Sequence, residues 1–376
     1  MKGNGNQPVL VVVQLSGGND FLNTLIPYTN PVYYDVRKNV GIPQEQALPI
    51  NDTLAFHPQA EPLKKMFEDG DVAVIQGIWY ENSSRSHFRA MDIWHTCEPD
   101  KIGTEGWLGK AIRELDPGKD NVLTGVNFGR GLPRALSAPG VPISSVGDLD
   151  NYGLMTGIED QYRKEALGIF KDMYAPAIGS GPVMDYLSQT GSDVLRGADI
   201  LKQAPAKYSS SIEYADNSIA KSLRDIARVH LAGLGTRIFY ANHGGYDNHA
   251  NEYPDHPRLM TELSGAIMDF FDDLREHNAS ENVSMLIFTE FGRRMKDNGS
   301  GTDHGSGGGA FLIGDKVKGG LYAEYPSIEP SDWLYGEDME HTYDYRGLYS
   351  TVLEQWLNLS APEIVGGTYE QLPAYL

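Results

Sequence analysis

Four short apolar runs, each ending in a polar loop, constrain this chain more than any other feature. Val9 to Leu15 is nearly continuous and rich in β-branched residues, and it closes on Ser16, Gly17, Gly18, Asn19 and Asp20. Val72 to Ile78 breaks at Tyr80-Glu81-Asn82-Ser83-Ser84, after which Ser86 to Trp94 has helical spacing. Arg237 to Tyr240 leads to Asn242-His243-Gly244-Gly245-Tyr246-Asp247, and Val283 to Thr289 leads to Glu290-Phe291-Gly292-Arg293-Arg294. Runs this uniformly apolar are buried on both faces, as in parallel sheets. In open parallel sheets, ligands bind in the crevice beyond the carboxyl ends of the strands. The expected fold is therefore α/β, a doubly wound, mostly parallel sheet flanked by helices, with these loops converging on one site. Met260 to His277 carries Leu263, Ile267, Phe270, Phe271 and Leu274 at helical spacing, a face suited to packing on the sheet.

The 376 residues are enough for one compact α/β domain spanning 1–376. The stretch 137–234 differs in texture. Gly157 to Tyr174 and Val183 to Leu201 read as amphipathic helices separated by the break from Ala175 to Pro182, and we expect a helical insertion near the site. Ordinary crossover helices of the sheet fit the same pattern. With 51 acidic against 31 basic residues the net charge is −20, which repels nucleic-acid phosphates and gives no attraction to anionic lipid. No apolar run approaches the ~20 residues that span a bilayer. The start, Met1 to Pro8, is polar and glycine-rich and does not read as a leader. A single cysteine, Cys97, excludes an internal disulfide and a thiolate-rich zinc site, so any metal must be held by carboxylate, imidazole or hydroxyl groups.

Those groups cluster at the loops. Asp247 and His249 lie two residues apart on an irregular glycine-bearing segment and can present a carboxylate and an imidazole to one cation. His243 and His256, taken singly, read better as hydrogen-bonded structural histidines. Asp303-His304 lies beside a second glycine-rich loop. Glu290 and Asp20 are acids at the ends of buried strands, a costly position unless paired or metal-bound. Ser83, Arg85, Ser86 and His87 precede or open a helix. There a hydroxyl can be activated while the helix N-terminus favours an anion, and the arginine fork can grip phosphate or sulfate. A plain N-cap serine is the commoner use of such a residue.

Taken together, these motifs resemble the bacterial domain of unknown function 1501 family, within the alkaline phosphatase and sulfatase-like superfamily. The resemblance runs through Leu15 to Asp20, His57-Pro58, Pro62-Leu63-Lys64, Ser84 to Phe88, His243 to His249, Glu290 to Arg293, Asp303-His304 and Asp344 to Tyr349. It implies a two-metal hydrolytic site at the C-terminal edge of the sheet. By similarity, Asp247, His249 and His304 look like ligands of one metal and Asp20 with Glu290 like ligands of the other, with Asp303 an extra ligand or support. Ser86 is the first choice of nucleophile and Ser83 the second, since Asn82-Ser83 with His87 resembles the segment of cofactor-independent phosphoglycerate mutases. The superfamily often has an adjacent Asp-His pair where this chain has Glu290-Phe291, so His87 replaces a ligand or the site holds a single metal. Cys97-Glu98-Pro99-Asp100-Lys101 looks like a sulfatase modification signature with Lys in place of the final Arg, and its position speaks against that role.

The activity so implied is metal-dependent hydrolysis of phosphate or sulfate esters by a serine nucleophile, with Arg85 holding the anion and His87 orienting it or exchanging a proton. One or two divalent cations are implied (Zn, Mn, Mg or Ca), and small anionic esters or sulfated or phosphorylated glycans are the implied substrates. The alternatives are a catalytically inactive metal-containing binding protein and a mutase-like phosphoryl transferase. Family resemblance points to an extracytoplasmic or periplasmic location, and oligomeric state is not legible.

Overall fold

The computed structural model describes residues 7–152, 159–173, 193 and 196–376. Its centre is an eight-stranded sheet: β1 (Val9–Ser16), β2 (Val72–Gln76), β3 (Gly125–Phe128), β4 (Ile143–Val146), β5 (Ile238–Gly244), β6 (Val283–Thr289), β7 (Gly309–Ile313) and β8 (Gly320–Tyr322). The spatial order is β8-β2-β7-β6-β1-β5-β3-β4. All pairings are parallel except those of β7, which runs antiparallel to both β6 and β2. The expected doubly wound, mostly parallel α/β sheet is what the chain forms, with one reversed strand inside it.

β1 is the central element. Val9, Val11, Val13 and Leu15 project into one core, Leu10 and Val12 into the other, and all six are buried. The first core is closed by α1 (Glu61–Glu68), α5 (Ser218–Leu231) and α6 (Glu252–Glu276), the second by α2 (His87–Thr96), α3 (Trp107–Leu115) and α7 (Tyr345–Thr351). A strand apolar on both faces needs both layers, and roughly 25 cal/mol per Å² of buried apolar surface drives that sandwich together.

Three boundaries differ from the expectation. The run Val72 to Ile78 is cut at Gly77, whose φ of +59° suits glycine, and Ile78–Trp79 then pairs in parallel with Tyr343–Asp344 in a separate two-stranded ladder. α6 starts at Glu252, before Met260, and absorbs Asp255 and His256 as well as Pro257. Within 137–234, β4 pairs with β3 and α5 packs on the sheet, so these two parts belong to the main architecture. Of the two helices expected there, α4 (Asp160–Met173) is present, whereas Val183 to Leu201 lies largely outside the described residues, with 196–201 helical. Among the described residues no helix is long and apolar enough to cross a membrane.

Candidate metal centre and its cleft

Central neighbours β6, β1 and β5 run parallel, so their C-terminal ends deliver Glu290, the Ser16–Asp20 loop and the His243–His249 loop to the same edge. Gly17, at φ +123°, passes so close to the backbone of Asp247 that a Cβ there would collide with it. Arg293 ties these loops together. Its buried guanidinium donates to the carbonyls of Gly17, Gly18 (2.7 Å), Thr302 (2.9 Å) and Tyr246 (2.7 Å), and to Asp247 Oδ1 (3.0 Å). The sequence contains this residue in plain view, but a strand-end arginine carries no signal that its partners are carbonyls of three other loops.

Asp247, His249, Asp303 and His304 converge. Asp247 Oδ1 lies 3.0 Å from His304 Nε2 and 3.1 Å from His249 Nε2, and the two ring nitrogens are 2.9 Å apart. The far nitrogen of each ring faces an acceptor: His249 Nδ1 is 3.1 Å from Asp303 Oδ1, and His304 Nδ1 is 2.9 Å from the Arg85 carbonyl. An acceptor partner requires the hydrogen on Nδ1, which leaves Nε2 of a neutral ring as a lone pair. Burial lowers the pKa of His304 and favours that neutral ring. Two lone pairs and a carboxylate oxygen thus point at one another within about 3 Å, a donor set that repels itself unless a cation stands among them. Burial raises the Asp247 pKa, but the neighbouring His304 ring and the Arg293 guanidinium outweigh it and bring the pKa to about 2, so this carboxylate is ionised. His249 and Asp303 sit on the same rim, and the hydrogen bond to His249 lowers the Asp303 pKa.

His87, at the start of α2, faces the same oxygens. Its Nδ1 is 3.0 Å from Glu290 Oε1 and its Nε2 is 3.4 Å from Asp247 Oδ2. A ring nitrogen of His87, a carboxylate oxygen of Asp247 and a ring nitrogen of His304 form a group of potential ligand atoms within 4.8 Å of one another. The Glu290 hydrogen bond raises the pKa of His87. Glu290 Oε1 also accepts the Gly17 N–H at 2.8 Å, so this carboxylate orients the imidazole and the β1 loop. Glu290 therefore meets the cluster through His87.

Asp20 is not brought to this group. Its carboxylate is buried against the Arg37 guanidinium, with Oδ2 2.9 Å from Nη1 and Oδ1 3.1 Å from Nη2, while Oδ1 also caps the turn Phe21–Thr24 through the Leu22 N–H. Glu252 and His256 share that pocket of charge. Arg85 is also committed elsewhere: its fork meets Asp338 (Nε 2.9 Å, Nη2 2.5 Å) and Glu337 (3.3 Å), and its backbone carbonyl serves His304. Ser86 is the exposed N-cap residue of α2 and makes no side-chain capping bond, and Ser83 is half-buried in the preceding loop. His243 is buried between the Tyr246 hydroxyl (3.0 Å) and Glu262 (3.2 Å). Cys97 is buried at the end of α2, and burial pushes its thiol up to about 12, far from a nucleophile's range. A cleft of 490 Å³ opens beside the cluster, with Ser16, Gly17, His87 and Glu290 on its inner side.

The mostly parallel sheet thus gathers potential metal-ligand imidazoles and carboxylates at its C-terminal edge. The family described as "Protein of unknown function (DUF1501)" matches residues 183–360, which include His243–His249, Glu290–Arg293, Asp303-His304 and Asp344–Tyr349. The family resemblance read from the motifs is thereby met. A comparison with curated proteins finds no match. Among solved structures, the PsFucS1 sulfatase from Pseudoalteromonas sp. is similar at TM-score 0.41 and 12% identity, over 98% of this chain and 71% of that one. A protein in the alkaline phosphatase superfamily from Vibrio parahaemolyticus has TM-score 0.39 and 8% identity, over 85% of this chain and 63% of that one. A sulfatase described as putative from Bacteroides thetaiotaomicron has TM-score 0.38 and 10% identity, over 97% of this chain and 76% of that one. At TM-scores below 0.5 these likenesses assign no activity to this chain.

Proposed function

We propose that this chain is a metal-dependent hydrolase of phosphate or sulfate esters with a single cation centre held by Asp247, His249 and His304. The observation that carries this reading is the pair of Nε2 atoms 2.9 Å apart, each with its Nδ1 turned to an acceptor. When bound, a divalent cation supplies Lewis acidity and lowers the pKa of a hydroxyl or water. Asp303 and the Arg85 carbonyl fix the two imidazoles, and such outer partners are worth ~10–100-fold in metal affinity. Ser86 is the attacking hydroxyl and Ser83 the alternative. Ser86 sits where the free N–H groups of the first turn of α2 favour an anion. His87, held by Glu290, takes the proton that leaves the attacking group. The segment 137–234 lends a strand and helical cover to this single domain.

A second reading, a metal-containing binding protein without turnover, is favoured by one specific feature: Arg85 already spends its fork on Asp338 and Glu337. Elemental analysis of the purified protein, paired with a screen of aryl phosphates, phosphodiesters and sulfate esters before and after chelation, separates the two. The hydrolase reading expects about one equivalent of metal, with turnover that a chelator abolishes and Ser86→Ala removes. Metal without turnover leaves the binding protein, and no affinity for added Zn or Mn removes both.

A further inference from the structure

The cleft beside the cluster is built largely from one face of α2, where Phe88, Met91, Asp92 and His95 recur at helical spacing. That face runs from a fully open rim, Phe88 at 91% exposure, to a nearly closed wall, His95 at 5%. The ionic groups of the cleft are already matched. Asp92 Oδ2 is 2.6 Å from Arg89 and Oδ1 is 3.0 Å from Arg134, while Glu290 is held by His87 and the Gly17 N–H. An ionised ligand group gains little here and loses its hydration.

His95 adds a polar atom that the fold leaves unused. Its Nε2 lies 2.9 Å from Gln14 Oε1, which also accepts from the Tyr240 hydroxyl, and Gln14 Nε2 donates to Ser16 Oγ at 2.7 Å. Because a carbonyl oxygen only accepts, Nε2 carries the hydrogen. Burial lowers the ring's pKa to about 3 and keeps it neutral, so Nδ1 is a lone pair, and among the described residues it has no hydrogen-bond partner.

We propose that this cleft binds an uncharged ring bearing a hydroxyl group: the ring lies on Phe88 and Met91, and its hydroxyl donates to His95 Nδ1. Resting on the hydrolase reading, that ring is the leaving-group half of the ester, either a phenolic ring or a sugar ring, and the hydroxyl at His95 is one that is not esterified. The cleft's binding itself requires neither metal nor turnover.

The test is a ligand-observed NMR titration of the purified protein, with and without chelator, using phenol and methyl glucopyranoside as the two ring sources. Anisole serves as a ring without a donor and benzenesulfonate as a charged ring. At least one hydroxylated ring should bind in both metal states. If it is phenol, anisole should bind roughly tenfold more weakly, the size of one hydrogen bond, and if it is the glucoside, its permethylated form should do so. Phe88→Ala, at a side chain that supports nothing in the core, should weaken the ring by roughly tenfold. His95→Gln keeps a donor for Gln14 but removes the acceptor at Nδ1, and should abolish the preference for the free hydroxyl. His95→Asn, which keeps an acceptor near Nδ1, should retain part of it. The proposal is overturned if neither hydroxylated ring binds, if benzenesulfonate binds more tightly than both, or if Phe88→Ala and His95→Gln bind like the parent. Ring binding as described in a protein that hydrolyses no ester would leave the subsite standing and remove the hydrolase reading alone.

Discussion

Two groups of acids and histidines meet the two ends of the Ser16–Asp20 loop, one at Gly17 and one at Asp20, and they use the same chemistry in opposite ways. In the rim cluster, Asp247, His249 and His304 are half-exposed or exposed, and their acceptor atoms converge, with Arg293 donating to one Asp247 oxygen and His87 Nε2 3.4 Å from the other. In the buried cluster, Asp20, Glu252 and His256 are almost wholly enclosed, and the Arg37 guanidinium supplies the cation. Residue type does not separate a metal site from an internal ion pair. The discriminator is whether the fold already provides the positive charge.

The sharpest way to break that contrast is His304→Ala. Removing a ring whose Nε2 meets both Asp247 and His249 should lower bound metal and ester turnover by more than ~100-fold, beyond what losing an outer partner costs. The melting temperature should stay near that of the parent. Unchanged metal content would end the assignment. Next in size is Arg37→Met, which strands Asp20 as an unpaired buried charge and should cost ~3–5 kcal/mol in a denaturant titration. Metal content of the folded fraction should not change, and its loss would return Asp20 to the ligand set. Asp303→Asn is milder. It weakens the acceptor that holds His249 Nδ1 and should reduce metal affinity by ~10–100-fold in a competition titration, leaving stability alone.

What the sequence disclosed follows the range of the forces involved. β6 coincides with the run Val283 to Thr289, and β1 exceeds its run by one residue, because burial on both faces writes itself into consecutive residues. β3 and β4 are four residues each, with sequences GVNF and ISSV, and only pairing with β5 and with each other makes them strands. Asp247, His249 and His304 were legible because two local motifs carry them. Asp20 looked equivalent, since its partner Arg37 lies 17 residues away on another element. Glu252 gave no signal at all: Pro254 and Pro257 disguise the start of α6 as a loop, yet this acid lies at 1% exposure beneath the site.

Glu252 also provides the smallest effect in any single measurement, a slope. Burial, followed by the neighbouring Asp20 carboxylate, pushes its pKa up from 4.5 to about 9, so it is a neutral acid at pH 7 and accepts from Asn23 (3.0 Å) and Thr302 (2.8 Å). Between those two values the folded chain holds a proton that the unfolded chain has released. The associated stability is fully present below 4.5 and is lost as pH rises toward 9, by at most about 1.4 kcal/mol per pH unit. Asp20 acts in the other direction. Burial raises its pKa, Arg37 together with the Glu252 hydrogen bond and the nearby His256 and Arg293 outweighs burial, and the resulting stability is lost only as pH falls below the ordinary carboxylate range. Glu252→Gln removes the titration while keeping an acceptor for Thr302 and a donor for Asp20. Denaturation midpoints from pH 5 to 9 should decline in the parent and flatten in the variant. Coincident slopes would mean that Glu252 is ionised in place, and that the buried cluster, like the rim, is short of a cation.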